Sequence, residues 1–410
     1  MPMKKQRSRR TRRAFLGAVG VSASALAGCS GGGGGGGSNG SGKGGGETTT
    51  SGGTETMMSG GNETTMGGEN GTTTGSSDRS GSMADSITVF HAGSLAPPME
   101  EAKAQFEEET GIQVNREAEG SVASTQKISE QGRSADVLGV ADYRLIRDQV
   151  LPQYSEWYAV FATNSMTIAY NEQSAGASGI GTDNWWEILS RDDVRFAHSD
   201  PAADPNGYRS VMVMMLGMMD FQGSSLYGEE TYNTLREKEI VPTGTESALF
   251  GQLEAGSLDY VFEYSSFRAT HDARFVDFQP RVSLAETSPE LARFYANAEV
   301  QAGGETYVGA PIAYGLTVPN VAEAPGAGQR FVEFMLAESG DEIMTNSGFG
   351  AINPAVVPES AQQSVPGSIA ELVEARRSLG PLELDIGYQP PTFQSTNDSL
   401  LSRTPRELVL

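Results

Sequence analysis

The stretch ITVFHAGSLAPPMEEAKAQFEEETG, Ile87 to Gly111, decides how the rest of the chain is read. Ile87–Phe90 is a short β-branched and aromatic run, which predicts a strand. His91-Ala92-Gly93-Ser94-Leu95 is a small turn. Pro97 and Pro98 fit the first turn of a helix, Met99, Ala102 and Phe106 fall on one face of it, and Gly111 suits the position just past its end. A strand feeding a helix through a Gly-Ser turn can cradle a phosphate, present a nucleophile, or seat another anion.

The same unit recurs. IQVNREAEG runs into Ser121 and the helical VASTQKISEQG, and ADVLGVADY gives a third strand. FATNSMTIAYN (Phe161–Asn171) and VGAPIAYGLTVPN (Val308–Asn320) are β-rich runs flanking a second α/β set. Within that set, VRFAHSDPAADPNGYRSVMVMMLGMM reads as strand, loop and apolar helix, and ESALFGQLEAGSLDYVFEYSS as helix and strand. Ala327–Pro354 reads as an amphipathic helix pair and a glycine turn. Alternation of this kind predicts an α/β fold with mixed sheets covered on both faces. Two lobes joined by two crossing strands are expected: residues 86–163 and 310–395 form lobe 1, and 164–309 form lobe 2, with a tail at 396–410. The cluster Met212, Met214, Met215, Met218 and Met219 is apolar all round, which reads as a buried helix rather than a soft-metal site.

The first 85 residues read as an address and a tether. Residues 1–28 carry a basic head, a short apolar run and the exit Leu26-Ala27-Gly28-Cys29. Thr11-Arg12-Arg13-Ala14-Phe15-Leu16 resembles a twin-arginine export signal, and the exit resembles a lipoprotein box, so Cys29 is the expected lipidation site. Residues 29–85 are a Gly/Ser/Thr-rich linker with a reach of roughly 40 Å. The expected location is the outer face of the cell membrane. Asn39, Asn62, Asn70 and Asn397 open short glycosylation motifs of low specificity.

Cys29 is the only cysteine, which excludes a disulfide or thiolate metal site. The formal charge of −23 becomes −30 once a leader with seven basic and no acidic residues is removed. That balance excludes a nucleic-acid surface and suits a solvated shell in very salty surroundings. No G-x-x-x-x-G-K-[ST] loop and no G-x-S-x-G elbow occur. His91 lies three positions from Ser94, which leaves a secreted serine hydrolase as the reading from a different class.

Ligands of open α/β sheets gather where strands end and helices begin. Gly93-Ser94, Gly120-Ser121 and Asp204-Pro205-Asn206-Gly207 are small polar turns at such places. Converging helix N-termini and serine hydroxyls can form an anion pocket without arginine.

FHAGSL, ADVLGVADYRLI, FATNSMTIAYN, NWWEILSRDDVRFAHSDPAADPNGYR, LEAGSLDYVFEYSS and APIAYGLTVPN together resemble the archaeal molybdate/tungstate-binding proteins of ABC importers, from about Ile87 to Pro354. The resemblance implies a periplasmic-binding-protein type II fold with no catalytic activity and no cofactor. Its partners would be molybdate or tungstate, an ABC permease and its ATPase, and the membrane through Cys29; a monomer is expected. The family's ligand residues fall here on Gly93, Ser94, Ser121, Asp204, Pro205, Asn206, Glu246 and Tyr264. Ser94 to Ser121 spans 27 residues and Glu246 to Tyr264 spans 18, as in the family. Asp204 and Glu246 would ligate the Mo or W centre directly. The context Thr245-Glu246-Ser247-Ala248 departs from the family's, which makes Glu263 the alternative second carboxylate. A sulfate or phosphate receptor on the same fold is the near alternative.

Overall fold

Strand β1 (Ser86–Ala92) enters a single 3-10 turn at Gly93–Leu95 and continues into helix α1 (Ala96–Thr110). The computed structural model describes residues 84–242 and 246–385, with no side-chain description for 246 and 247. The export signal, Cys29, the linker up to residue 83, the tail and all four glycosylation motifs lie outside the described residues. Helix α1 begins and ends where its sequence predicts: a proline sits in its first turn, and Gly111 closes it at φ 74°, a left-handed conformation that costs a glycine little. Met99, Ala102 and Phe106 are buried on its inner face.

The first sheet also holds β2 (Gln113–Glu119), β3 (Val137–Val140) and β4 (Ala159–Thr163). Helix α2 (Ser121–Ser129) links the first two of these. Asn164 and Ser165 then carry the chain into a second sheet. That sheet contains β5 (Met166–Tyr170), β6 (Phe196–Ala197), β7 (Tyr260–Tyr264) and β8 (Arg274–Asp277), in the order β6-β7-β5-β8. Its helices are α3 (Trp185–Leu189), α4 (Pro205–Met218), α5 (Glu229–Lys238) and α6 (Glu246–Glu254). Helix α7 (Pro289–Tyr295) and a hairpin of β9 (Glu299–Ala302) and β10 (Glu305–Val308) precede the return to the first sheet. The returning strand is β11 (Ala313–Thr317), followed by α8 (Pro325–Leu336), α9 (Glu338–Asn346), β12 (Gly350–Pro358) and β13 (Val373–Arg376).

The first sheet runs β13-β12-β4-β11-β3-β1-β2. β1 is parallel to β2 and β3, and β11 is antiparallel to β3 and β4, so the sheet is mixed. The expected α/β class with two sheet-based halves is what the chain adopts. Two elements differ from the reading of the sequence. The strand expected before the Asp204 loop is only two residues long, with its pairing carried one residue further by a hydrogen bond from the His198 N–H to the Ile240 carbonyl. The hairpin β9–β10 was not anticipated; Gly303 and Gly304 both take positive φ, 62° and 89°, as its tight turn requires.

Helix α4 is the methionine-rich helix. Met212 and Met214 are fully buried and Met215 and Met218 partly so, which fits a core helix. Trp185 is likewise core, edge-on to Phe278 and Phe262.

His91 is buried at the end of β1. Arg116 Nη1 donates to its Nε2 at 3.4 Å, so Nδ1 carries the proton and donates to the Ala92 carbonyl at 2.8 Å. Burial lowers its pKa to about 4, against the pull of that carbonyl and with help from Arg116. A lowered folded-state pKa means that between pH 6.5 and 4 the unfolded chain binds a proton which the folded chain refuses. Stability from neutral His91 is therefore complete above pH 6.5 and is lost as pH falls toward 4. Over that window wild type should lose on the order of 3 kcal/mol more than His91→Gln, read by denaturant unfolding at each pH. Parallel curves for the two proteins would contradict this.

Candidate functional site

Three turns bring most of the expected residues together. Ser94, in the Gly93–Leu95 turn, is buried, and its Oγ lies 3.1 Å from the Tyr314 hydroxyl on β11. Ser121 opens α2, and its Oγ accepts from the Ala141 backbone N–H at 2.9 Å. Asp204 caps α4, with Oδ1 accepting from the Asn206 N–H at 3.3 Å and Pro205 in the first helical turn. The second and third turns are in contact. Ala123 N–H donates to the Ala203 carbonyl at 3.2 Å, and a Cβ at Gly120 would overlap that same carbonyl. Gly120 is thus needed for closeness rather than for conformation.

Tyr264, at the end of β7, completes the circle. Its ring meets Tyr314 edge-on with centroids 6.2 Å apart, and its hydroxyl accepts from Arg209 Nη1 at 2.8 Å. Arg209 also donates to the Ala141 carbonyl at 2.9 Å and lies 3.3 Å from Asp142. A continuous path of contacts therefore runs from Ser94 through Tyr314, Tyr264, Arg209 and Ala141 to Ser121 and the Asp204 turn. Asn164, in the crossing segment, donates to Tyr314 at 3.3 Å and to Ser266 at 2.9 Å.

An arginine also belongs to this cluster, bonded to Tyr264 and Ala141. Burial opposes the charge of Arg209, but Tyr264, Tyr208 and Asp142 outweigh it and raise its pKa. Asp142 behaves alike: burial disfavours its charge, yet Arg144, Arg209 and the Tyr208 hydroxyl hold the carboxyl well below the usual carboxylate range. Nothing local in the sequence marked Asn164, Tyr314 or Asp142. The one available signal for Arg209 was a lone charge inside an otherwise apolar helix.

Several buried polar atoms have no hydrogen-bond partner: Asp204 Oδ2, Asn206 Nδ2 and Ser124 Oγ at or just beyond the second and third turns, and both carboxyl oxygens of Glu263 on β7. Burial, and then the nearby Asp204, push the Glu263 carboxyl well above its ordinary pKa. Native proteins leave few buried polar groups unpaired, so such a concentration marks a place built for something polar. Glu246 opens α6, a helix packed against both the 93–95 turn and β7; its side chain lies outside the described residues.

The nucleophile reading finds no geometry. Both ring nitrogens of His91 are engaged with Ala92 and Arg116, and Ser94 is bonded to Tyr314.

The model of the bacterial extracellular solute-binding proteins matches residues 87–350, which takes in all three turns, β7 and β11. The chain belongs to this family. Family members bind and deliver solutes rather than transform them, so this solute-binding protein is not an enzyme. Its relatives include a solute-binding protein of Petrotoga mobilis, 40% identical over 66% of this chain and 87% of the relative. Another, from Methanoculleus marisnigri, is 37% identical over 71% and 87%. A molybdate/tungstate-binding protein of Pyrococcus abyssi is 35% identical over 72% of this chain and 92% of its own length. Among solved structures, the periplasmic molybdate-binding protein of Azotobacter vinelandii gives a TM-score of 0.44 at 16% identity, over 64% of this chain and 98% of that one, too loose a likeness to carry an argument.

Because the Ala203 carbonyl lies where a Gly120 side chain would go, Gly120→Ala must push the Asp204 turn away from Ser121. The variant should lose about 1–3 kcal/mol of stability, measured by denaturant titration. Unchanged stability would mean that the two turns move apart freely.

Proposed function

We propose that this solute-binding protein is a lipid-anchored, extracytoplasmic receptor for molybdate or tungstate, delivering the oxyanion to an ABC permease driven by its ATPase. In this reading residues 1–28 direct twin-arginine export and Cys29 carries the lipid. Residues 86–163 and 310–395 form one lobe, 164–309 the other, and the anion sits between them.

The observation that carries the reading is Asp204, a buried carboxylate with one oxygen lacking a protein partner, placed beside the serine turn at Gly120-Ser121. A carboxylate there repels a tetrahedral dianion such as sulfate by about 4 kcal/mol per unit charge pair at 4 Å and an effective dielectric of 20. A large hexavalent Mo or W centre can instead accept further hard oxygen ligands. Asp204 would then attract a metal oxyanion while discriminating against sulfate. Gly93, Ser94, Ser121, Pro205, Asn206 and Tyr264 would surround the oxyanion oxygens. Glu246 is the proposed second ligand to the metal. Glu263, buried near Asp204 with both oxygens unpaired, is the alternative. The Pyrococcus abyssi relative supports the substrate class, and the family supports delivery to a transporter.

Calorimetry with tungstate, molybdate and sulfate tests the proposal. Tungstate and molybdate should bind, and Asp204→Ala should weaken both by at least about tenfold, roughly 1.4 kcal/mol, while sparing sulfate. Sulfate binding as tight as tungstate would make this a general oxyanion receptor. Glu246→Gln and Glu263→Gln, measured in parallel, identify the second carboxylate by which of them loses tungstate.

A further inference from the structure

Two adjacent residues of α4, Tyr208 and Arg209, reach from the second sheet to the segment that follows β3 in the first. The Tyr208 hydroxyl donates to Asp142 Oδ2 at 2.8 Å, and Arg209 lies 3.3 Å from the same oxygen. Arg144 holds Asp142 from its own side, through Nε to Oδ1 at 2.9 Å, and also donates to the Val308 carbonyl at 2.7 Å at the end of β10. Tyr208 in turn stacks on Tyr307 at 4.2 Å. Asp142, Tyr208 and Arg209 are all almost completely buried.

We infer that Arg209, braced by Asp142, is the positioning residue of the oxyanion site: it joins the Tyr264 hydroxyl to the Ala141–Ser121 pair, so that the donors of the two sheets assemble only when the sheets come together. This rests on the oxyanion reading above. The argument is geometric. Arg209 Nη1 donates both to Tyr264 Oη and to the Ala141 carbonyl, Nη2 faces Asp142, and the N–H of that same Ala141 fixes Ser121 Oγ. A charge-assisted hydrogen bond from the guanidinium fixes the Tyr264 hydroxyl in place. A buried arginine–carboxylate pair is weak evidence for stability in general. One that bridges two sheets and orients two site hydroxyls has a reason to persist beyond stability.

The test compares wild type with Arg209→Lys, Asp142→Asn and Tyr208→Phe. It measures tungstate association and dissociation rates by stopped flow, and tungstate-induced compaction by small-angle X-ray scattering. Lysine keeps the charge, but its single nitrogen cannot hold Tyr264 and Ala141 while also pairing with Asp142, as Nη1 and Nη2 of arginine do together. Dissociation should accelerate about tenfold or more in Arg209→Lys and Asp142→Asn, with association within about threefold of wild type and the compaction reduced. Tyr208→Phe removes a single hydroxyl and should show the same direction, which keeps the test decisive if the charged variants fail to fold. Variants with wild-type dissociation rates and full compaction would overturn the inference while leaving the receptor reading intact. A wild type that binds neither tungstate nor molybdate would overturn both.

Discussion

The architecture of the site depends on one costly arrangement, a buried carboxylate oxygen on Asp204 with no protein partner, next to the equally unpaired carboxyl of Glu263. A buried polar atom left without a hydrogen-bond partner costs about 1–3 kcal/mol. The surrounding chain nevertheless packs the Asp204 turn as tightly as backbone allows, with the Ala203 carbonyl occupying the space that a side chain at Gly120 would need. Gly207 does the same on the other side of the loop, where a Cβ would overlap the Ser199 carbonyl. Two glycines therefore hold in place a carboxylate that uses one oxygen to cap α4 and leaves the other without a protein partner.

Around this point the charges are layered. Serine hydroxyls, the Asn206 amide and the Tyr264 phenol stand nearest the turns, while Arg209 and Arg144 sit behind them, both paired with the single carboxylate of Asp142. Such layering keeps fixed positive charge away from direct contact while using it to orient the donors. It also spans both sheets, since Ala141 and Asp142 follow β3 and Arg209 belongs to α4. The crossing segment contributes as well: Asn164 bonds to Tyr314, itself the partner of Ser94. The link between the sheets and the site are therefore made by the same residues.

Much of this was legible in the sequence because it is local. The prolines and Gly111 that bound α1 act within one helix, and the Gly-Ser and Asp-Pro turns announce helix starts by residue type alone. Ser94, Ser121 and Asp204 could be singled out by their turns and Tyr264 by the family resemblance, and the structure joins them into one network of contacts. Arg209 was not legible. Its role depends on Ala141 and Tyr264, residues 68 and 55 positions away, and its immediate neighbours read as a core helix. Tyr314 is similar: it lies in a strand whose alternation predicts burial, and only the return of the chain to the first sheet puts its hydroxyl against Ser94. The β9–β10 hairpin leaves a faint signal for a smaller reason: its Gly303-Gly304 turn joins two strands of only four residues each.

The central claim is that carboxylate oxygens reach the metal of the bound oxyanion rather than its oxygen shell. X-ray absorption fine structure at the tungsten edge of the tungstate-loaded protein reads this directly. The account expects an oxygen shell expanded from four to six, with the added distances lost in Asp204→Ala. A four-oxygen shell, unchanged from free tungstate, would contradict it.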